Sequence, residues 1–287
     1  MNSADSIDIS ETTLDRLENP SLFFRSHLSE NEKARMVIVH GLGEHSGRYL
    51  ALAEHLAKLN ISLWILDLRG HGNSGGQKGH VESFEDYTHD VMDVMRLALA
   101  GKPANRKCFL LGHSMGGLVA ILSALEHQNL IDGLIVSSPA LGVAVPVPAI
   151  KKAGARILSR FLPRLGIKNE LDPQKISHDP EIVQRYLDDP LVHNRVSTNW
   201  YVQFVKAMEK AHRRAGDINV PVLVQAAGED RLVSTKATAA FFESLTIPDR
   251  MLSVYNGLYH EIYNELEPDR KKVLSELTAW LTERIGG

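Results

Sequence analysis

The sequence predicts an α/β protein: a mostly parallel sheet covered by helices on both faces, with a helical cap inserted into it. Three observations carry this. Short apolar runs alternate with helical patterns from Arg35 to Ser137 and again from Pro221 onward, the rhythm of parallel strands joined by crossover helices. Between Pro139 and Pro221 that rhythm breaks for about eighty residues, too long for a loop and carrying helical patterns of its own. One stretch, Lys107-Cys-Phe-Leu-Leu-Gly-His-Ser-Met-Gly-Gly-Leu-Val-Ala-Ile-Leu-Ser123, runs from an apolar strand through an abrupt turn into a helix.

Taken in order, residues 1–20 read as a polar lead-in, and Ser21–His27 as a first edge strand. Arg35–His40 is a short apolar run suited to a buried parallel strand. It empties into the loop Gly41-Leu42-Gly43-Glu44-His45-Ser46-Gly47-Arg48-Tyr49, and Leu52, Leu56 and Leu59 then recur at helical spacing. Ile61–Leu66 is the next strand, followed by a glycine-rich loop from Asp67 to Gly76 and an amphipathic helix over Phe84–Leu99. The central strand holds Cys108–Leu111, its helix runs through Leu125, and Leu134–Ser137 is another strand. In the insertion, Ile150–Leu162 and Thr198–His212 have helical stripes. The first puts Ile150, Ala153, Ile157, Leu158 and Phe161 on one face. The sheet pattern resumes with a strand to Ala227, a helix near Thr235–Leu245, a strand over Met251–Tyr255 and a closing helix over Pro268–Ile285. The expected division is therefore 1–138 with 217–287 as core and 139–216 as cap.

Composition narrows the function. A net charge of −3 over 287 residues gives no reason to expect nucleic acid as a partner. The single cysteine, Cys108, excludes a disulfide framework or a thiolate cluster. Histidines and carboxylates are not grouped at metal-ligand spacing, and the glycine-rich turns lack a phosphate-loop lysine, so neither metal nor nucleotide is expected. Asp5, Asp8, Glu11 and Asp15 break up the N-terminal twenty residues, which do not read as a signal peptide. The uncharged run Gly133–Ile150 contains Pro139, Pro146 and Pro148 and begins as a strand, so it is not read as a membrane span. A cytoplasmic protein is the default reading. One segment adds peripheral membrane contact to the expectations: Gly142–Leu165 joins an apolar run to Lys151, Lys152, Arg156, Arg160 and Arg164, with no acid between Asp132 and Glu170. Its apolar face is expected to line an acyl tunnel, to dip into a bilayer surface, or to do both in sequence.

The chemistry starts at Gly112-His113-Ser114-Met115-Gly116. A serine at the tip of a strand–turn–helix elbow has its hydroxyl lifted above the sheet, and a helix N-terminus beside it supplies free amides where an oxyanion forms. Acyl transfer also needs a base and a carboxylate to orient it. Asp230, just past the strand ending at Ala227, and His260, just past the strand ending at Tyr255, lie on loops at strand ends in the order this chemistry uses. Glu229 and Asp217 are rival acids; Asp217 precedes its strand, at the wrong end. His40, His71 and His113 also lie near strand ends and are read as packing or hydrogen-bonding within their loops. Leu42, after the first parallel strand, and Met115 are placed to offer oxyanion amides.

HGLGEHSGRY, DLRGHGNSGG with GHVESFEDY, GHSMGG, and GEDRLV before YHEIYNE together resemble the monoacylglycerol lipase and lysophospholipase branch of the α/β-hydrolase family. The likeness runs from about Met36 to the end and is loose only across the cap. It implies an α/β-hydrolase fold and a serine carboxylic-ester hydrolase acting on a single-chain lipid ester without a cofactor. Ser114 is then the nucleophile, His260 the base, Asp230 the orienting acid, and Leu42 and Met115 the oxyanion donors. Glu44 and Arg48 match family positions near the alcohol end of the substrate, although the two also stand where they can pair with each other. Some relatives carry a second histidine three residues after the catalytic one; this chain has Tyr263 there. A lysophospholipase, a general carboxylesterase, an aminopeptidase of the same fold and a non-catalytic receptor or scaffold are the alternatives.

Overall fold

The computed structural model describes residues 7–144, 149–169 and 171–286, with backbone alone at 149–152. Expectations on Asp5, Pro146, Pro148 and Glu170, and on the side chains of Ile150, Lys151 and Lys152, lie outside those residues. The chain opens with β1 (Ser10–Leu14), β2 (Leu22–His27), β3 (Ala34–Val39), α1 (Leu50–Ala57), β4 (Ile61–Leu66) and α2 (Glu85–Leu99). It continues through β5 (Lys107–His113), α3 (Met115–His127) and β6 (Gly133–Ser137). Next come α4 (Ala149–Phe161), β7 (Gly166–Lys168), α5 (Pro180–Asp188), β8 (Arg195–Ser197) and α6 (Thr198–Arg214). Last are β9 (Val222–Ala227), α7 (Thr235–Glu243), β10 (Arg250–Tyr255) and α8 (Asp269–Ile285).

Eight strands make one sheet in the order β1-β2-β4-β3-β5-β6-β9-β10. β2 runs antiparallel to β1 and β4; every pair from β4 to β10 is parallel. Alternation along β3 sends Met36 and Ile38 to one face and Val37 and Val39 to the other, so each face closes its own core. One joins Val37, Leu110 and Leu118 to Tyr87 and Val91 of α2. The other joins Met36, Ile38 and Phe109 to Leu52 and Leu56 of α1 and Leu277 and Trp280 of α8. Strands buried on both faces read as unbroken apolar runs, which is why β3 to β6 were visible in the sequence.

Two differences have physical causes. Ser21–His27, expected at the edge, lies one strand in, because residues 10–14 of the expected lead-in form β1. Ser-Glu-Thr-Thr-Leu has one apolar residue and is mostly exposed, and is held by its ladder with β2, which hydrophobic patterning does not register. The chain between β6 and β9, expected to be helical, also holds the antiparallel ribbon β7–β8. Its helix α5 went unread although it has a local start signal, Asp179 accepting from the Glu181 amide with Pro180 in the first turn. Helix α6 buries Trp200, Phe204, Ala207 and Ala211 in the same core as α2 and α3, and Trp200 Nε1 donates to the Tyr87 hydroxyl at 3.1 Å. Among the described residues no helix is long and apolar enough to cross a membrane.

Candidate active site

The loops that leave the carboxyl ends of β3, β5, β9 and β10 carry the expected residues. Ser114 lies between β5 and α3 with φ 54° and ψ −121°, a left-handed conformation that costs a non-glycine residue roughly 1–3 kcal/mol. The surroundings hold it there. Its amide donates to Ser137 O at 3.0 Å, and its carbonyl accepts from the amides of Leu118 and Ala140. The turn is tight because its glycines leave no room for a side chain. A methyl group on Gly112 would come 2.2 Å from Gly116 O, and one on Gly116 would come 2.3 Å from the carbonyls of Val39 and His40. Helix α3 is thereby pressed against the end of β3, and the β3 loop beside it reaches the serine: a methyl on Gly41 would lie 3.2 Å from Ser114 Cβ.

Asp230 and His260 meet at 2.7 Å between Oδ2 and Nδ1. Asp230 Oδ1 is occupied by the amides of Leu232 and Val233, both at 2.9 Å. Burial alone would push this carboxyl up. The charge and hydrogen bond of His260, with the two amides, outweigh it and hold Asp230 below its ordinary value. An ionised carboxylate only accepts, so Nδ1 carries the proton and Nε2 is left as the basic nitrogen of the neutral ring. Burial pushes the His260 imidazole down, but Asp230 overrides it and the ring ends above its ordinary pKa. Its neighbour His113, with ring centroids 4.7 Å apart, goes the other way: burial, then the charge of His260, brings it down to about 4. The rival acids lie elsewhere. Glu229 is solvent-exposed beside Arg231, and Asp217 pairs with Arg214.

Met115 follows the serine directly, and Leu42 follows Gly41, the residue of the β3 loop that reaches Ser114 Cβ. Met115 is the first residue of α3, where an amide has no acceptor in its own helix. The Gly41 amide donates to Glu44 Oε1 at 2.6 Å. Among the described residues, neither Leu42 nor Met115 donates its amide to a protein acceptor.

Glu44 and Arg48 are brought together, with a partner that the sequence did not reveal. Glu44 Oε1 also accepts from the Tyr49 hydroxyl at 2.7 Å, and Oε2 from Arg48 at 2.5 Å. Arg48 then grips Glu261 with two nitrogens, at 2.6 and 2.8 Å. Burial opposes the charge on Glu44, yet Arg48 foremost brings its carboxyl down to about 2. A buried carboxylate–guanidinium–carboxylate chain thus ties the loop holding Leu42 to the residue after His260. No local motif could announce Glu261, which is 213 residues from Arg48. Tyr263 is buried and donates its hydroxyl to Gln225 Oε1 at 2.7 Å.

The chain between β6 and β9 contacts the same loops. His193 N donates to Gly43 O at 2.9 Å, His45 Nε2 meets Asp189 Oδ2 at 2.8 Å, and the Arg48 guanidinium lies 4.8 Å from the Tyr186 ring centroid. His40 and His71, noted in the sequence near strand ends, turn inward. His40 Nε2 accepts from the Leu68 amide at 3.0 Å, and His71 Nδ1 donates to Arg69 O at 3.1 Å. Among the described residues no cluster of histidine, cysteine and carboxylate groups is arranged to hold a metal. The arrangement brings an oriented imidazole, a strained serine and a helix N-terminus to one edge of the sheet, the groups that acyl transfer on a serine needs.

Comparison with known proteins agrees with that chemistry. A family model described as serine aminopeptidase, S33, matches residues 30–267. The monoglyceride lipase homolog of Monkeypox virus is 33% identical over 257 residues, covering 88% of this chain and 91% of its own. The monoacylglycerol lipase of Mycolicibacterium smegmatis is 30% identical over 251 residues, covering 87% and 88%. Among solved structures, the monoacylglycerol lipase of Paleococcus ferrophilus superposes with a TM-score of 0.84 at 34% identity, over 92% of this chain and 99% of that one.

Proposed function

The chain belongs to the serine aminopeptidase S33 family of α/β-hydrolases, and on that footing we propose that it is a monoacylglycerol lipase working through Ser114, His260 and Asp230. One observation carries the reading: the 2.7 Å contact of His260 Nδ1 with an ionised Asp230, on loops neighbouring a strained serine elbow. His260 Nε2 takes the proton as Ser114 Oγ attacks the ester carbonyl. The oxyanion rests on the amides of Leu42 and Met115. His260 returns the proton to the departing glycerol oxygen, leaving an acyl-serine. Water, deprotonated by the same imidazole, then releases the fatty acid and regenerates Ser114. Every step uses side chains or amides of this chain, and none needs a cofactor.

Ser114→Ala is expected to abolish hydrolysis of monoolein and labelling by a fluorophosphonate while the protein stays folded. Monoolein, lysophosphatidylcholine and an aminoacyl nitroanilide, assayed side by side, test the substrate class. Faster turnover of either of the last two would overturn the lipase reading.

The membrane-docking part of the proposal rests on α4 and the segment after it. Ile157 is 62% exposed and Phe161 75%, with Leu162 and Leu165 also at the surface beside Arg160 and Arg164. An apolar face directed at solvent and fringed with cations fits the interface of an anionic bilayer, where each cation contributes up to about 1 kcal/mol. Reversing Arg156 and Arg160 to glutamate should weaken binding to phosphatidylserine vesicles and leave hydrolysis of a soluble butyrate ester unchanged. Vesicle binding equal to the wild type would sink this part.

A further inference from the structure

The amides of Tyr259 and Glu261, the residues on either side of His260, are tied to residues 176–178, one through Glu265 and one directly. Glu261 N donates to Ile176 O at 2.8 Å. Tyr259 N donates to Glu265 Oε1 at 2.7 Å, and the same oxygen accepts from His178 Nδ1 at 2.9 Å. Glu265 Oε2 accepts from His178 N at 3.0 Å and from Ser177 Oγ at 3.4 Å. The Ser177 hydroxyl also lies 2.8 Å from Asn264 O, inside the loop after His260. Above this cluster the His178 ring stacks on Tyr259 at 3.6 Å, with the Arg231 guanidinium 4.8 Å from the Tyr259 centroid. Glu265 itself is 2% exposed. Removing a carboxylate from water is tolerated only where donors replace the lost hydration, and here they come from two separate pieces of chain.

We propose that Glu265 is a positioning residue for His260: acting through the Tyr259 amide, it latches the base loop to residues 176–178 of the insertion. The proposal rests on the reading of His260 as general base. That imidazole has to serve Asp230 on one nitrogen and Ser114 on the other, so its tolerance for displacement is small. Where the ring lies is set by the backbone on either side of it, and there the amides of Glu261 and Tyr259 are held to residues 176–178, the first directly and the second through Glu265. A residue that only stabilised the insertion would alter folding, or substrate affinity through the cap. A residue that positions the base alters turnover of a small substrate that has no need of the cap.

The full-length enzyme tests this with a soluble nitrophenyl butyrate. Glu265→Gln keeps the volume but replaces one acceptor oxygen with a donor. Its kcat should fall by roughly 10- to 100-fold with KM within about twofold of wild type, the scale of a base displaced by a fraction of an ångström. His178→Ala removes only the side-chain half of the latch and should lower kcat by about threefold. His178→Asn, whose amide nitrogen can replace Nδ1 as donor, should recover most of that loss. A folded Glu265→Gln enzyme with kcat within twofold of wild type overturns the proposal. Should Glu265→Gln not fold, wild-type turnover in His178→Ala overturns it equally, because that side chain is partly exposed and its removal leaves the fold in place. Ser114→Ala run in parallel separates the two readings. Activity in that variant overturns the triad and the latch together, whereas an inactive Ser114→Ala beside an unimpaired Glu265→Gln overturns the latch alone.

Discussion

At the scale of single residues, the site is a set of charges held where water would not leave them. Asp230 keeps its charge because three donors meet its two oxygens, and it repays His260 by raising the imidazole's affinity for a proton. Replacing it with asparagine keeps the shape, removes the charge and favours the wrong tautomer. By comparison with the same change in another serine hydrolase, turnover should fall on the order of 10⁴-fold. The profile of kcat/KM against pH gives an independent check. As the proposed base, His260 acts when neutral, so wild-type activity should drop as pH falls through a value above the ordinary 6.5. A wild-type acid limb centred well below 6.5 would contradict the pairing. The elbow at Ser114 and the strand-end loops on which Asp230 and His260 meet were legible in the sequence, since each follows an apolar strand. Glu261 and Glu265 were not. Their roles come from partners brought close only by folding, and a glutamate in a polar loop has no pattern of its own.

At the scale of elements, the parallel strands were the easiest to read, because burial on both faces leaves an unbroken apolar run. β1 and the β7–β8 ribbon were the hardest: three to five residues each, held by ladder bonds rather than by a buried stripe. Between these extremes lies the elbow, where one helix is locked to two strands by the absence of side chains. Gly116→Ala tests that lock. Its methyl would meet main-chain carbonyls of β3 and its loop, not a flexible side-chain end, so α3 must shift. Overpacking of this kind costs about 1–3 kcal/mol, readable as a lower Tm. Because the shift moves Ser114 and the Met115 amide together, ester turnover should fall more than stability suggests. A variant with wild-type Tm and wild-type turnover would mean that α3 is not held by that contact.

For the molecule as a whole, buried histidines set the acid limit. Burial holds His40, His71 and His113 below the ordinary imidazole value, His113 at about 4. The unfolded chain takes up protons at these positions near pH 6.5, while the folded one does not. Stability is therefore full above that pH and is lost as pH falls toward the folded values. His113 alone contributes on the order of 3 kcal/mol across its window, partly offset by His260, whose shift has the opposite sign. Tm measured from pH 7 to pH 5 should decline, and His113→Asn should flatten the decline; a Tm indifferent to pH over that range would refute it. Helix α6 has a further consequence, for engineering rather than for chemistry. It is reached through the insertion, yet its Trp200 and Phe204 complete the core that supports α3 and, at its tip, Ser114. Exchanging the chain between β6 and β9 for that of a relative is therefore not a swap of a surface feature alone. A transplant cut before Thr198 leaves the recipient's foundation intact, whereas one cut after Arg214 imports a foreign wall beneath Ser114.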